Sequence, residues 1–136
     1  MKKGIKIFLI IAAALAAVIL TAFLIMTNSS NKAMQSMVFE SVDMARTADG
    51  TYYGETDAGM VYVKVAVTVE NHAINSIEII EHRNGRGAKA ESITGDIIAH
   101  NSIIVDDVSG ATLSSKAIRC AVGKALKQSF EKGISQ

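Results

Sequence analysis

Cysteine occurs once in this sequence, at Cys120, so the chain can close no disulfide on itself and assemble no cysteine-based metal site. Tryptophan is missing, and only three Tyr and four Phe are present. Because no basic run accompanies them, nucleic-acid binding is disfavoured. The three histidines, His72, His82 and His100, stand too far apart to show a zinc-ligand spacing. Proline is missing as well, an absence that excludes no reading.

What the chain does contain is a long apolar run. Residues 5–26, "IKIFLIIAAALAAVILTAFLIM", carry one charge, Lys6, at the leading edge. As a helix they would extend roughly 33 Å, enough for a hydrocarbon core of about 30 Å. Lys2, Lys3 and Lys6 lie before or at the start of the run, and only Lys32 follows closely. The positive-inside rule then leaves the N-terminus in the cytoplasm and sends the remainder across the membrane. A cleaved signal peptide is the competing reading. Its apolar core would be shorter, however, and "LIMTNSSNKA" offers only a weak Ser-x-x-Ala cleavage stretch. Of the 14 Lys and Arg, three belong to that start, so the other 11 face 13 Asp and Glu, a net of −2 beyond the membrane. The expected division is an anchor over 1–27, a linker and connecting helix over 28–48, and a folded domain over 49–133.

The folded part mixes periodicities. "TNSSNK" reads as a polar linker, and Met34, Met37, Val38 and Val42 recur at helical spacing within residues 33–46. Asp49-Gly50 is a turn signal ahead of the β-formers Tyr52 and Tyr53. Residues 60–69, "MVYVKVAVTV", put valine at every second position, a period-2 strand with one continuous apolar face. Glu70-Asn71-His72 is a polar turn, and "AINSIEIIEH" is a second strand, so the two should pair as an antiparallel hairpin. Residues 88–100 read as a short helix interrupted by Gly95, and 102–105 as a brief strand. Ile118, Ala121, Val122, Ala125, Leu126 and Phe130 mark an amphipathic helix closing near Gly133. Strands and helices do not alternate strictly, which predicts an α+β fold: an N-terminal transmembrane helix, then a small antiparallel-sheet domain with packed helices.

Between the brief strand and the last helix stands "VDDVSGATLSSKAI". Gly110 permits a sharp turn or a positive φ, and Ala111 adds almost no bulk. Thr112, Ser114 or Ser115 could cap the helix. A helix start offers unpaired N–H groups and a positive dipole end, so the same residues could seat a phosphate. Residue types alone leave both readings open. Asp106 and Asp107 would repel a phosphate if they faced it, and so should turn toward a metal, a modifying enzyme or solvent. No acid–base pair or Ser–His–Asp spacing nearby suggests hydrolysis.

"DDVSGATLSS" resembles the flavinylation motif of the FMN-binding domain family, Asp-x-x-Ser/Thr-Gly-Ala-Thr. That domain also occurs in the C subunit of the sodium-translocating NADH:quinone oxidoreductase and in the related electron-transport complex. The order of "DGTYYGE", the valine strand, "INSIEIIEHR" and the following helix is similar to the family's over roughly 49–132. The resemblance implies that a dedicated flavin transferase joins FMN, through its phosphate, to the Thr112 hydroxyl. It makes Asp106 the motif aspartate and Ser109, Gly110 and Ala111 the turn. His82 ends a strand beside the basic loop, and reads first as a partly exposed strand-end histidine and second as a candidate contact for the flavin or its phosphate. Arg83 and Arg86 could approach a phosphate or the ring's electron-rich edge, but a solvated loop is the simpler account of them. The sequence departs from the family after His82. "RNGRGAK" stands where a Glu-Thr-Pro-Gly-like loop is usual, so ring-contacting residues are not carried over.

The expected function is thus a membrane-anchored extracytoplasmic flavoprotein. It would carry FMN on Thr112 and relay electrons between membrane or extracellular redox partners, with membrane lipid around its anchor and no nucleic acid. Two rivals remain: a pilin-like structural protein, against which Lys6 and the lack of an early glutamate argue, and a non-covalent module for a phosphate-bearing ligand.

Overall fold

The computed structural model describes residues 2–83 and 87–136, which places Arg86 outside the described residues. They fall into two units, Met1–Lys32 and Ala33–Gln136. Helix α1 spans Lys2–Ser36, and its Lys2–Asn28 portion is long and apolar enough to cross a membrane. Within the apolar run, the Thr21 hydroxyl donates to the Val18 carbonyl at 2.9 Å. The Thr27 hydroxyl does the same to Leu24 at 3.0 Å, so neither needs water. The polar linker expected after the run is helical instead, continuing α1 to Ser36.

The second unit is built on three antiparallel strands in the order β1-β2-β3: Gly50–Asp57, Tyr62–Glu70 and Ala73–Arg83. The valine face lies where its period predicts. Val63, Val65, Val67 and Val69 are fully buried, and each such side chain is worth roughly 1.5–3 kcal/mol. Asn71 and His72 both take positive φ, 50° and 62°, which matches the twist of a two-residue hairpin loop. Glu70 pairs with Ala73 across it. Two register shifts in the β2–β3 ladder, near Lys64/Val65 and Thr68/Val69, bend β3.

Helix α3, Thr112–Ile134, lies on the valine face and buries Ala117, Ile118, Ala121, Val122, Ala125 and Leu126. It approaches β1 closely at Gly54, where any Cβ would collide with the Ala121 carbonyl. The expected helix over 88–100 begins as a 3-10 turn, Ala88–Ser92, and becomes α2 at Ile93–His100. Its irregularity therefore precedes Gly95. Asn101, at φ 49°, ends α2 in a left-handed cap whose N–H reaches the Ile97 and Ile98 carbonyls. Its side chain accepts the Ile74 N–H at 2.8 Å and so ties α2 to β3. The result is an α+β domain.

Two expected elements do not form. Beyond Ser36, residues 37–43 have no regular secondary structure and lead into a 3-10 turn, Met44–Arg46, where a connecting helix was expected. Met37, Phe39, Val42 and Met44 pack inward on the core, while Val38 and Glu40 face outward. The side chain of Met34 lies outside those described. Phe39 lies under the Arg119 guanidinium, 4.6 Å from its ring centre, and Glu40 meets Lys127 at 3.1 Å. The surface of α3 thus selects an irregular strap over a local helix. Residues 102–105 form no strand either. The Arg119 Nε–H donates to the Ile103 carbonyl at 2.8 Å, and Ser102 Oγ accepts the Ile104 N–H at 3.0 Å. Side chains satisfy the groups that a sheet partner would have taken.

Candidate functional site

The segment entering α3 is a tight turn followed at once by the helix. The Ala111 N–H donates to the Val108 carbonyl at 3.0 Å, which closes a four-residue turn around Ser109 and Gly110. Gly110 has φ 76°, a backbone state that favours glycine at the third position of such a turn. Ala111 is buried, whereas Ser109, Gly110 and Thr112 are exposed. Thr112 is the first residue of α3, so its hydroxyl stands in solvent at the positive end of the helix dipole.

None of the three hydroxyl residues caps the helix. The N-cap is Ala111, and no side-chain cap hydrogen bond is made. Ser115 is fully buried, and its hydroxyl accepts the Val108 N–H at 2.9 Å, fixing the turn from below. That leaves the exposed start of the helix to Thr112.

The two aspartates separate. Asp107 pairs with Arg119 at 2.9 Å, with only about a fifth of its side chain exposed. Its charge is therefore met from α3. Asp106 is exposed on the wall of a groove of about 600 Å³, which Asp96, His100, Ile104 and Val105 also line. Among the described residues, no group of three or more His, Cys, Asp and Glu could hold a metal ion.

His82 is placed differently from a free strand-end residue. Its side chain is 2% exposed, and its Nδ1 lies 2.9 Å from a Glu91 carboxylate oxygen. Glu91 belongs to the 3-10 turn Ala88–Ser92, so His82 joins the end of β3 to that turn. Arg83 remains exposed, pairs loosely with Glu81 at 3.7 Å and covers the Tyr62 ring at 4.9 Å. His72 reaches the Thr47 carbonyl, 25 residues away in sequence, at 3.0 Å, and His100 the local Asp96 carbonyl at 2.9 Å.

The same 3-10 turn supplies a residue that the sequence did not single out. A Cβ built on Gly110 would lie 2.7 Å from Lys89 Nζ and 3.4 Å from its Cε. A lysine ammonium therefore rests over the glycine two residues before Thr112. A basic residue in "RNGRGAK" was the only sequence signal for it, and nothing local tied that loop to the turn.

An exposed threonine thus opens a helix in a small α+β domain, directly after a glycine turn over which an ammonium lies. A model of the FMN-binding domain family matches residues 58–127, just over half the chain, and the chain belongs to that family. No solved structure matches it. The residue types suit FMN, whose phosphate calls for a cation and amide dipoles: the Lys89 ammonium lies over Gly110, and α3 begins two residues further on.

Proposed function

We propose that this protein is a membrane-anchored extracytoplasmic flavoprotein in which FMN is esterified through its phosphate to Thr112. The carrying observation is the exposed Thr112 hydroxyl at the start of α3, on the Gly110 turn of an FMN-binding domain. Forming a phosphoester from an alcohol requires an activated donor. A flavin dinucleotide provides one, presented by a flavin transferase. The Thr112 oxygen forms the new P–O bond, the pyrophosphate P–O bond breaks, a nucleoside monophosphate leaves, and the hydroxyl proton passes to a base of the transferase. No electrons move in that step.

Bound FMN supplies electron acceptance and donation, and the chain supplies attachment, orientation and placement. Outside the cell a covalent bond prevents loss of the cofactor by dilution. Lys2, Lys3 and Lys6 before the apolar helix favour a cytoplasmic N-terminus, which would put Thr112 on the far side with membrane or extracellular redox partners.

Co-expression with a flavin transferase and denaturing electrophoresis test this reading. A fluorescent flavin band is expected for the wild-type chain and for Thr112→Ser, and none for Thr112→Ala. Flavin that purifies with the folded chain but leaves on denaturation would instead establish a non-covalent module, and an undiminished band in Thr112→Ala would end the assignment.

A further inference from the structure

We propose that the Lys89 ammonium is the counter-charge for the phosphate carried on Thr112, so that this lysine is a cofactor-binding residue. The inference rests on the reading of Thr112 as the phosphoester acceptor and adds the residue that receives the phosphate. The Lys89 amine lies over Gly110, 2.7 Å from where a Cβ would be. Two residues of chain span at most about 7 Å, so a phosphate on Thr112 falls within its reach.

The surrounding charges make the placement informative. Among the described residues, no carboxylate pairs with Lys89. Of the acids near the two segments in sequence, Glu91 is engaged with His82 and Asp107 with Arg119, while Asp106 is exposed on the wall of the adjoining groove. A surface lysine without an acidic partner ordinarily extends into water, where its ammonium is best hydrated. This one is exposed, yet it has its amine over a backbone turn.

The backbone beneath Lys89 is held on several sides. Ala90 is fully buried and its N–H donates to the Gly87 carbonyl at 2.9 Å. Ser92 Oγ donates to the Lys89 carbonyl at 3.0 Å, and His82 holds the neighbouring Glu91. Only the rotamers of the lysine itself must be fixed when it meets an anion. A phosphate esterified to both threonine and ribityl carries one negative charge, which a single ammonium matches. Gly110 then has two duties, a positive φ and a bare surface on which the amine can lie.

The test uses the full chain in detergent with a flavin transferase at limiting concentration. Lys89→Gln, Lys89→Arg and Lys64→Gln are compared with wild type. Lys64 sits on the sheet face turned away from α3 and controls for net charge. The readouts are the initial rate of covalent labelling and the phosphorus-31 resonance of the loaded chain. Lys89→Gln should label about fivefold more slowly, as expected for losing one partly solvated ion pair, and should shift the phosphorus resonance. Lys89→Arg should recover most of both, and Lys64→Gln should match wild type. Labelling of Lys89→Gln at the wild-type rate with an unmoved resonance would overturn the proposal, as would equal losses in Lys89→Gln and Lys89→Arg or in Lys64→Gln. A wild-type chain that takes no label removes the Thr112 reading and this one together. A labelled wild type indifferent to Lys89 removes only this one.

Discussion

The buried hydroxyl of Ser115 accepts the backbone N–H of Val108 at 2.9 Å, a bond that runs from the first turn of α3 back into the loop leading to it. Ser115→Ala should therefore strand a part-buried N–H in the loop that enters α3. The expected loss is about 1–3 kcal/mol of unfolding free energy, read from the urea midpoint. Because the same bond fixes the turn under Thr112, flavin labelling should slow even at temperatures where the variant is fully folded.

Gly110→Ala separates two demands on one position. Holding alanine at φ 76° costs about 1–2 kcal/mol, while the flexible Lys89 amine can swing away from the new methyl group. Stability should fall by the conformational term alone, as read by thermal melting. Labelling measured well below the melting transition should fall further, because the amine has been displaced. Adding Lys89→Gln to Gly110→Ala should then slow labelling little more than Gly110→Ala does alone, a non-additivity expected of neighbours.

The parts legible in the sequence are those whose pattern repeats within one element. The valines of β2 and the apolar stripe of α3 each satisfy a local period, the polar turn at Asn71-His72 is contiguous in sequence, and all three fold as their pattern predicts. The motif turn was legible for the same reason, since Ser109, Gly110, Ala111 and Thr112 are contiguous. Residues 37–43 were not, because Met37, Val38 and Val42 suit a helix as well as a strap. The decision lies with Phe39 under Arg119 and Glu40 at Lys127, contacts made by α3. Lys89 was hidden for a similar reason. Its approach to Gly110 joins two loops through the packing of the whole domain, and no spacing rule connects them. His82 reads as a partly exposed strand-end residue, yet its side chain is buried, and its partner, Glu91, lies beyond a loop.

Arg119 offers a last and separable prediction. Its guanidinium donates to the Ile103 carbonyl at 2.8 Å and to Asp107 at 2.9 Å, and it covers the Phe39 ring. One side chain thus pins both the strap and the segment that enters the motif. With Arg119 13% and Asp107 21% exposed, the pair is largely shielded from solvent, and removing one partner leaves the other poorly compensated. Arg119→Met should cost about 2–4 kcal/mol in urea unfolding, combining the abandoned carboxylate with the unpaired Ile103 carbonyl. Asp107→Asn in the same chain should restore part of that loss by removing the stranded charge. Arg119→Lys should rescue poorly, because a point charge cannot serve the carbonyl, the carboxylate and the ring at once. If Arg119→Met and the double variant unfold at the same midpoint, the ion pair contributes nothing and the clamp works through Ile103 and Phe39 alone.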